Sequence, residues 1–283
     1  MSAYQACPVA KMEKLLLTSD RSEFSEGAIR EAINLAKTCS SKLYVISVAE
    51  EPDIREFADS YPLVATEKLE RDTRVHLESL KERAEKEGVV CEIIERRGPK
   101  TYEYIIDEAG KNNVEMIIMG RRGRTGLMRL MMGSVTARVI GHSPCKVLVV
   151  PRAARINFEK ILIPTDGSIF SELASREAIS IAKRTGSSLI VLSVAKKDEN
   201  LSLAEASVGM VKEVAEKEGI KVEAVTLKGE PHEVIVNAAE KKNAGFIVVG
   251  SHGRTGLEKL LMGSVTERVI GHAGCPILVV RKP

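Results

Sequence analysis

The sequence predicts an α/β protein made of two tandem copies of one domain, each a parallel five-stranded sheet covered on both faces by helices. Three observations predict it. Gly120–Val150 and Gly250–Val280 align with 21 identities in 31 positions, which marks homologous units in tandem. Short apolar runs such as Met116-Ile117-Ile118-Met119 and Phe246-Ile247-Val248-Val249 alternate with longer amphipathic stretches, the pattern of parallel strands buried on both faces. At 283 residues, each half has the common size of a domain and can bury its own core.

The elements follow in order. Residues 1–12 read as a loose tail. A first strand spans 14–18 and ends at Ser19-Asp20. Ser22 or Ser25 can cap a helix to about Cys39, with Ala28, Ile29, Ala32, Ile33, Leu35 and Ala36 at helical spacing. A strand at 43–48 precedes a segment, Glu50 to about Ala65, that carries Pro52 and Pro62. An amphipathic helix then runs to about Lys86 and stops at Gly88. A strand at 91–95, a Gly98-Pro99 turn, a helix to about Lys111 and strands at 115–119 and 146–150 complete the first half. The second half repeats this order, with strands at 160–164, 188–194, 221–226, 245–249 and 276–280. Its helices lie near 171–184, 201–218, 231–242 and 264–270. The first domain is assigned to 13–152, a linker to 153–158 and the second domain to 159–283. Asp20 to Gly120 spans 100 positions and Asp166 to Gly250 spans 84, so the first half carries 16 extra residues, mostly after its second strand. A ligand lid, a partner contact and a tolerated insertion all suit that place.

Composition excludes some classes. The net charge of +3 gives no electrostatic case for nucleic acid, and the few aromatics offer no stacking platform for single strands. No apolar run reaches membrane-spanning length, and Met1–Lys14 does not resemble a signal peptide, so a cytoplasmic protein is expected. The five cysteines show neither CxxC nor metal spacing. Cys145 and Cys275 occupy matching places and read as small buried hydrophobes rather than a disulfide.

One stretch, present twice, carries the chemistry. Gly120-Arg121-Arg122-Gly123, nine residues and Gly133-Ser134-Val135-Thr136 correspond to Gly250-Ser251-His252-Gly253, nine residues and Gly263-Ser264-Val265-Thr266. A strand ending in Gly-x-x-Gly, with a Gly-Ser that opens a helix, suits a phosphate: the backbone comes close and free N–H groups point at it. Thr18-Ser19-Asp20 and Pro164-Thr165-Asp166 end the first strands. If first and fourth strands are neighbours, each aspartate faces the glycine loop across the crevice beyond the carboxyl edge. There it can accept from a base amine or a ribose hydroxyl, with Val48 and Val194 flanking. An aspartate before Ser or Gly is also a common cap or turn residue.

These residues resemble the universal stress protein family in its tandem form, over about residues 13–282. The shared run GRTGL…GSVT.RVIGH…LVV makes the resemblance specific. It implies doubly wound sheets of order 3-2-1-4-5, with the two fifth strands pairing antiparallel so that the halves form a pseudo-dimer. It also implies a bound adenine nucleotide, ATP or AMP, with Mg²⁺ able to accompany it. Base and ribose would meet Thr165, Asp166 and Val194, and phosphates Gly250, Gly253, Gly263, Ser264 and Val265. The first-half set is Ser19, Asp20, Val48, Gly120, Gly123, Gly133, Ser134 and Val135, with Thr136 and Thr266 adding hydroxyls. The first half departs in having Thr18 for Pro164, Arg21 for Gly167, and Arg121-Arg122 for Ser251-His252. The second site is therefore the more family-typical, and both are expected to bind.

No Walker-type lysine loop, paired metal carboxylates or base for Ser264 is recognisable. The leading reading is a nucleotide-binding stress-response sensor or regulator with little or no hydrolysis. A slow ATP hydrolase or adenylate-transfer enzyme, and an interaction scaffold without nucleotide, stay open. So do a further homodimer and a protein partner. Neither nucleic acid nor membrane is expected as a partner.

Overall fold

The computed structural model describes residues 7–9, 12–50, 63–123, 132–254 and 261–282. The first half runs β1 (Lys14–Thr18), α1 (Glu26–Cys39), β2 (Lys42–Ala49), α2 (Leu63–Lys86), β3 (Cys91–Arg97), α3 (Thr101–Asn112), β4 (Met116–Gly120), α4 (Ser134–His142) and β5 (Lys146–Val150). The second repeats it as β6 (Lys160–Pro164), α5 (Ile169–Thr185), β7 (Ser188–Ala195), α6 (Leu201–Lys217), β8 (Val222–Lys228), α7 (Pro231–Lys241), β9 (Phe246–Gly250), α8 (Ser264–His272) and β10 (Ile277–Val280).

The strands form one ten-stranded sheet, ordered β3-β2-β1-β4-β5-β10-β9-β6-β7-β8, so each half has the expected 3-2-1-4-5 order. Pairing is parallel except at the join, where β5 and β10 run antiparallel with Leu148 opposite Leu278. Alternation along each strand fills two cores, one per face. Leu15, Leu17, Ile118, Leu148 and Leu278 point to the face covered by α1, α2, α5 and α6. Leu16, Ile117, Val147, Val149 and Val279 point to the face of α3, α4, α7 and α8. Each core runs unbroken through the join, because the antiparallel register keeps like faces together.

Side chains from each half also grip the other. Arg121 Nη1 donates to the carbonyls of Ala273 (2.9 Å) and Ile270 (3.4 Å) at the end of α8. Arg281 Nη1 donates to the Ile140 carbonyl at 2.7 Å near the end of α4. A cation at a helix C-terminus completes open carbonyls and meets the negative end of the dipole. Lys146 on β5 pairs with Glu177 on α5 at 2.6 Å.

Two chain segments differ from the sequence expectation. Of the tail, Val9 and Met12 are buried at 7% and 4% exposure, and Cys7 is bonded to Cys39, whose Cα lies 4.7 Å away. That spacing suits a disulfide. The stretch reads as a tail because it has no periodicity, yet its two apolar side chains join the core beside α1. The linker is packed as well, with Ile156 and Phe158 buried and Phe158 against Phe246 at 5.0 Å between ring centres. Cys145 and Cys275 are free thiols, and burial pushes Cys275 up to about 12. About half of the 16 extra residues fall between β2 and α2, where 51–62 lie outside the described residues, and most of the rest lengthen α2, which has 24 residues against 17 in α6.

Candidate functional site

β1 and β4 are neighbours, while β2 lies on the other side of β1, so chain direction through the sheet reverses between them. The crevice beyond their carboxyl ends receives the β1–α1 loop together with Gly120–Gly123 after β4 and Gly133 before α4. There a cavity of about 220 Å³ opens in the first half. All the first-half residues assigned from sequence, Ser19, Asp20, Val48, Gly120, Gly123, Gly133, Ser134, Val135 and Thr136, line it. Apolar Ile46 and Met119 from the sheet and polar Ser134 at the start of α4 are among its lining.

Asp20 is held by its own turn. Its Oδ1 accepts from Ser22 N at 3.1 Å and Ser22 Oγ at 2.6 Å. Its Oδ2 is buried without a hydrogen-bond partner and lies 3.0 Å from where a Cβ on Gly123 would stand. A buried acceptor left open costs free energy unless something supplies a donor. α4 starts at Gly133 with extended backbone (φ −65°, ψ 144°) and no side-chain cap, so the first-turn N–H groups are open to an anion. Arg122 lines the same cavity. Thr101 Oγ1, at the start of α3, is a second buried unpartnered polar atom on its wall, and nothing in the sequence singled it out.

The second half repeats the scaffold with a different closure. Asp166 Oδ1 accepts from Ser168 N (3.0 Å), and Oδ2 accepts from Arg254 N (2.9 Å). A Cβ on Gly253 would stand 2.7 Å from that Oδ2, so the loop and the acid touch. Arg254 also reaches toward Gly167, where a Cβ would meet its guanidinium at 3.3 Å. Val194 and Val265 are half-buried against the same core. The first half thus holds an open cavity and an unpartnered acid oxygen, while in the second half that oxygen of the acid is bonded to Arg254 N.

Several assigned residues also have a structural role. A Cβ on Gly250 would stand 2.6 Å from the backbone C and O of Phe170, and one on Gly120 would stand 2.9 Å from Phe24 O. These glycines admit the chain entering α5 and α1, so packing requires them before any phosphate does. Thr136 and Thr266 are buried, and each hydroxyl donates to the carbonyl of Gly120 (3.1 Å) or Gly250 (2.9 Å), tying the helix to the strand end. Their protons are not available to a phosphate. Arg121 leaves the cradle for the other half, as described above. Ser134 and Ser264 are exposed at the helix starts, and Gly263 opens α8 as Gly133 opens α4. His252 packs on Phe170, 5.1 Å between ring centres.

Arg21 occupies the left-handed region at φ 67°, where its counterpart Gly167 has φ 76°. A non-glycine residue there costs about 1 kcal/mol, part of which glycine returns through a freer unfolded chain. Arg21→Gly is expected to gain a net stability of about 0.5 kcal/mol, read as a raised thermal midpoint. A lowered midpoint would show that the side-chain contacts of Arg21, including the 3.4 Å bond from Nη1 to Leu69 O, outweigh the strain.

Comparison with known proteins supplies an independent line. A model of the universal stress protein family matches residues 11–151 and again residues 157–281. A universal stress protein of Methanocaldococcus jannaschii is 42% identical over 142 residues, covering 44% of this chain and 84% of that protein. One from Mycolicibacterium smegmatis is 26% identical over 291 residues, covering 94% of this chain and 96% of that one. The crystal structure of a universal stress protein from Archaeoglobus fulgidus superposes with a TM-score of 0.78 at 23% identity, covering 99% of this chain and 98% of that one.

Proposed function

The chain belongs to the universal stress protein family, and from that premise we propose that it binds an adenine nucleotide, ATP or AMP, as a sensor or regulator in a stress response. One observation carries the reading. Asp20 Oδ2, buried and without a partner, shares one cavity with Gly123 and the uncapped start of α4. An acceptor at one place and a row of backbone donors at another match a ligand with amino or hydroxyl groups at one end and phosphate at the other. Gly123 supports the fit, because a side chain there would press on the acid.

The roles follow from position. Asp20 would take ribose or base donors, Val48 and Val135 would flank the base, and Gly133 through Val135 would present N–H groups to phosphate. Mg²⁺ would enter with a triphosphate. In the second half Asp166 must release the Arg254 N–H to act likewise, so the first half is the readier holder. We propose binding with at most slow turnover, because fixed backbone donors stabilise a bound phosphate without activating a water.

The test is direct. Protein purified without added nucleotide is denatured, and released nucleotide is identified by mass spectrometry and counted by absorbance. At least one adenine nucleotide per chain is expected, and Asp20→Ala should lower the count more than Asp166→Ala. Absence of nucleotide, followed by no heat of binding with ATP and Mg²⁺, would overturn the reading in favour of a scaffold. Hydrolysis at about 1 s⁻¹ or faster would overturn the regulatory part alone.

A further inference from the structure

The bond between Cys7 and Cys39 joins two half-buried residues. Cys39 closes the last turn of α1, next to Ser40 in the left-handed region at φ 54°. The bridge spans 32 positions and encloses β1 and most of α1. Neither element depends on it. β1 is paired on both sides, with β2 and with β4, and α1 lays Ala28, Ile29, Ala32 and Leu35 into the core. What the bridge adds is a hold on the chain ahead of β1. Val9 and Met12 are buried there, and the Met12 carbonyl accepts from Ser41 Oγ.

Burial of two side chains is the smaller of two opposed terms; the larger is the backbone freedom given up by residues 7–12. A covalent tie tips the balance, because it removes much of that freedom from the unseated state. Ahead of β6 the chain is held without such a tie: α5 ends in Thr185, and Ala154, Ile156 and Phe158 are buried. The remaining cysteines take no part. Cys91, Cys145 and Cys275 are free thiols, and burial pushes Cys91 up to about 11 and Cys275 up to about 12 and raises Cys145 too. The thiolate is the form that exchanges, so these three stay protonated and inert near neutral pH. Of the five cysteines, only the bridged pair is left to answer a change in redox state.

We infer that the Cys7–Cys39 bridge is a redox latch: oxidised, it seats the segment before β1 beside α1, and reduced, it releases that segment while the sheet stays folded. Opening takes two thiols, from one dithiol or from two monothiols. The first, as thiolate, attacks one sulfur of the bridge and forms a mixed disulfide, and the other cysteine leaves as a thiolate and takes up a proton. The second thiol attacks the mixed disulfide and frees the remaining cysteine, so the chain gains two electrons and two protons while the reductant becomes a disulfide. Release carries Val9 and Met12 out of the core and opens an apolar patch beside α1. Neither cysteine lines the first cavity, so the latch stands apart from the nucleotide reading.

The experiment uses the full chain purified without reductant. Peptide mapping by mass spectrometry should find Cys7 linked to Cys39, and buffers of reduced and oxidised glutathione should open and reclose the link in the native protein. After opening, iodoacetamide should label Cys7 and Cys39 and leave Cys91, Cys145 and Cys275 untouched until urea is added. Hydrogen exchange should then quicken at least about tenfold at the amides of Val9 and Met12 and stay unchanged in β1 and α1. Cys7→Ser and Cys39→Ser should each show the released pattern with or without reductant, and the nucleotide count of the denaturation assay should be the same in both redox states. A link that opens only in denaturant, or whose opening leaves Val9 and Met12 as protected as before, would make the bridge a permanent staple and overturn the inference. Loss of protection across β1 and α1, or of bound nucleotide, on reduction would overturn it as well, since the fold itself would then depend on the bridge. So would Cys7 and Cys39 found unlinked and not joined by oxidised glutathione. Absence of nucleotide in both states would bear on the nucleotide reading alone.

Discussion

Gly250→Ala is expected to lower the free energy of unfolding by about 3 kcal/mol, whereas Gly253→Ala should cost about 1 kcal/mol and act chiefly on nucleotide binding. The two glycines stand three positions apart in one motif, and sequence assigns both to the phosphates. The structure separates them. A methyl on Gly250 would lie 2.6 Å from the Phe170 backbone, which can yield only by moving the start of α5. Overpacking against backbone has no cheap relaxation. A methyl on Gly253 would meet only the far end of a side chain, Asp166 Oδ2 at 2.7 Å, which can rotate away. That rotation breaks its bond from Arg254 N and removes the acid from the crevice. Urea denaturation gives the stabilities, and titration with ATP gives the binding. An unchanged unfolding midpoint for Gly250→Ala would show that α5 does not need the close approach. Unchanged stability with lost binding would return Gly250 to the ligand.

That separation shows where sequence reasoning reaches. All ten strands were legible, the inner ones because burial on both faces leaves continuous apolar runs, and the helices placed from sequence keep their periodicity. The acids and glycine loops were legible because they sit beside strand ends, where chain order alone puts them in the crevice. The employment of individual residues was not. Gly250 is explained by Phe170, 80 positions earlier, and Arg121 by carbonyls about 150 positions later. His76 lies on a helix whose sequence reads only as charged and amphipathic, and only the structure brings it to Ser19. Cys7 and Cys39, 32 positions apart, show no spacing that marks a pair. The contrast between the halves was legible only in part: sequence marks the second site as the more family-typical, while the bond from Arg254 N to Asp166 appears only in the structure.

Leu148→Ala together with Leu278→Ala is expected to convert one unfolding transition into two and to cost about 5 kcal/mol in total. The figure allows about 2.5 kcal/mol for each truncated leucine, with little relaxation available. The argument is the continuity of the sheet. These leucines face one another across the β5–β10 pair, both nearly inaccessible, in a core shared by α1 and α5. The antiparallel pair is short, with three registered positions, so side-chain burial rather than ladder length must couple the halves. Arg121, Arg281 and Lys146 add grip at the rim, where exposure and screening limit each contact to a modest share. While the seam is intact, neither half can unfold without exposing the other's β5 or β10, and the parent should melt in one step. With the seam hollowed, each half retains its own strand order and helices and should melt by itself. Leu43→Ala provides the control, since Leu43 is equally buried but lies on β2, away from the seam. It should lose comparable stability and keep a single transition. Circular dichroism in urea, with proteolysis in the stretch between the halves, distinguishes the cases. A single transition in the double variant would mean that the rim contacts and packed linker, not the seam leucines, bind the halves together.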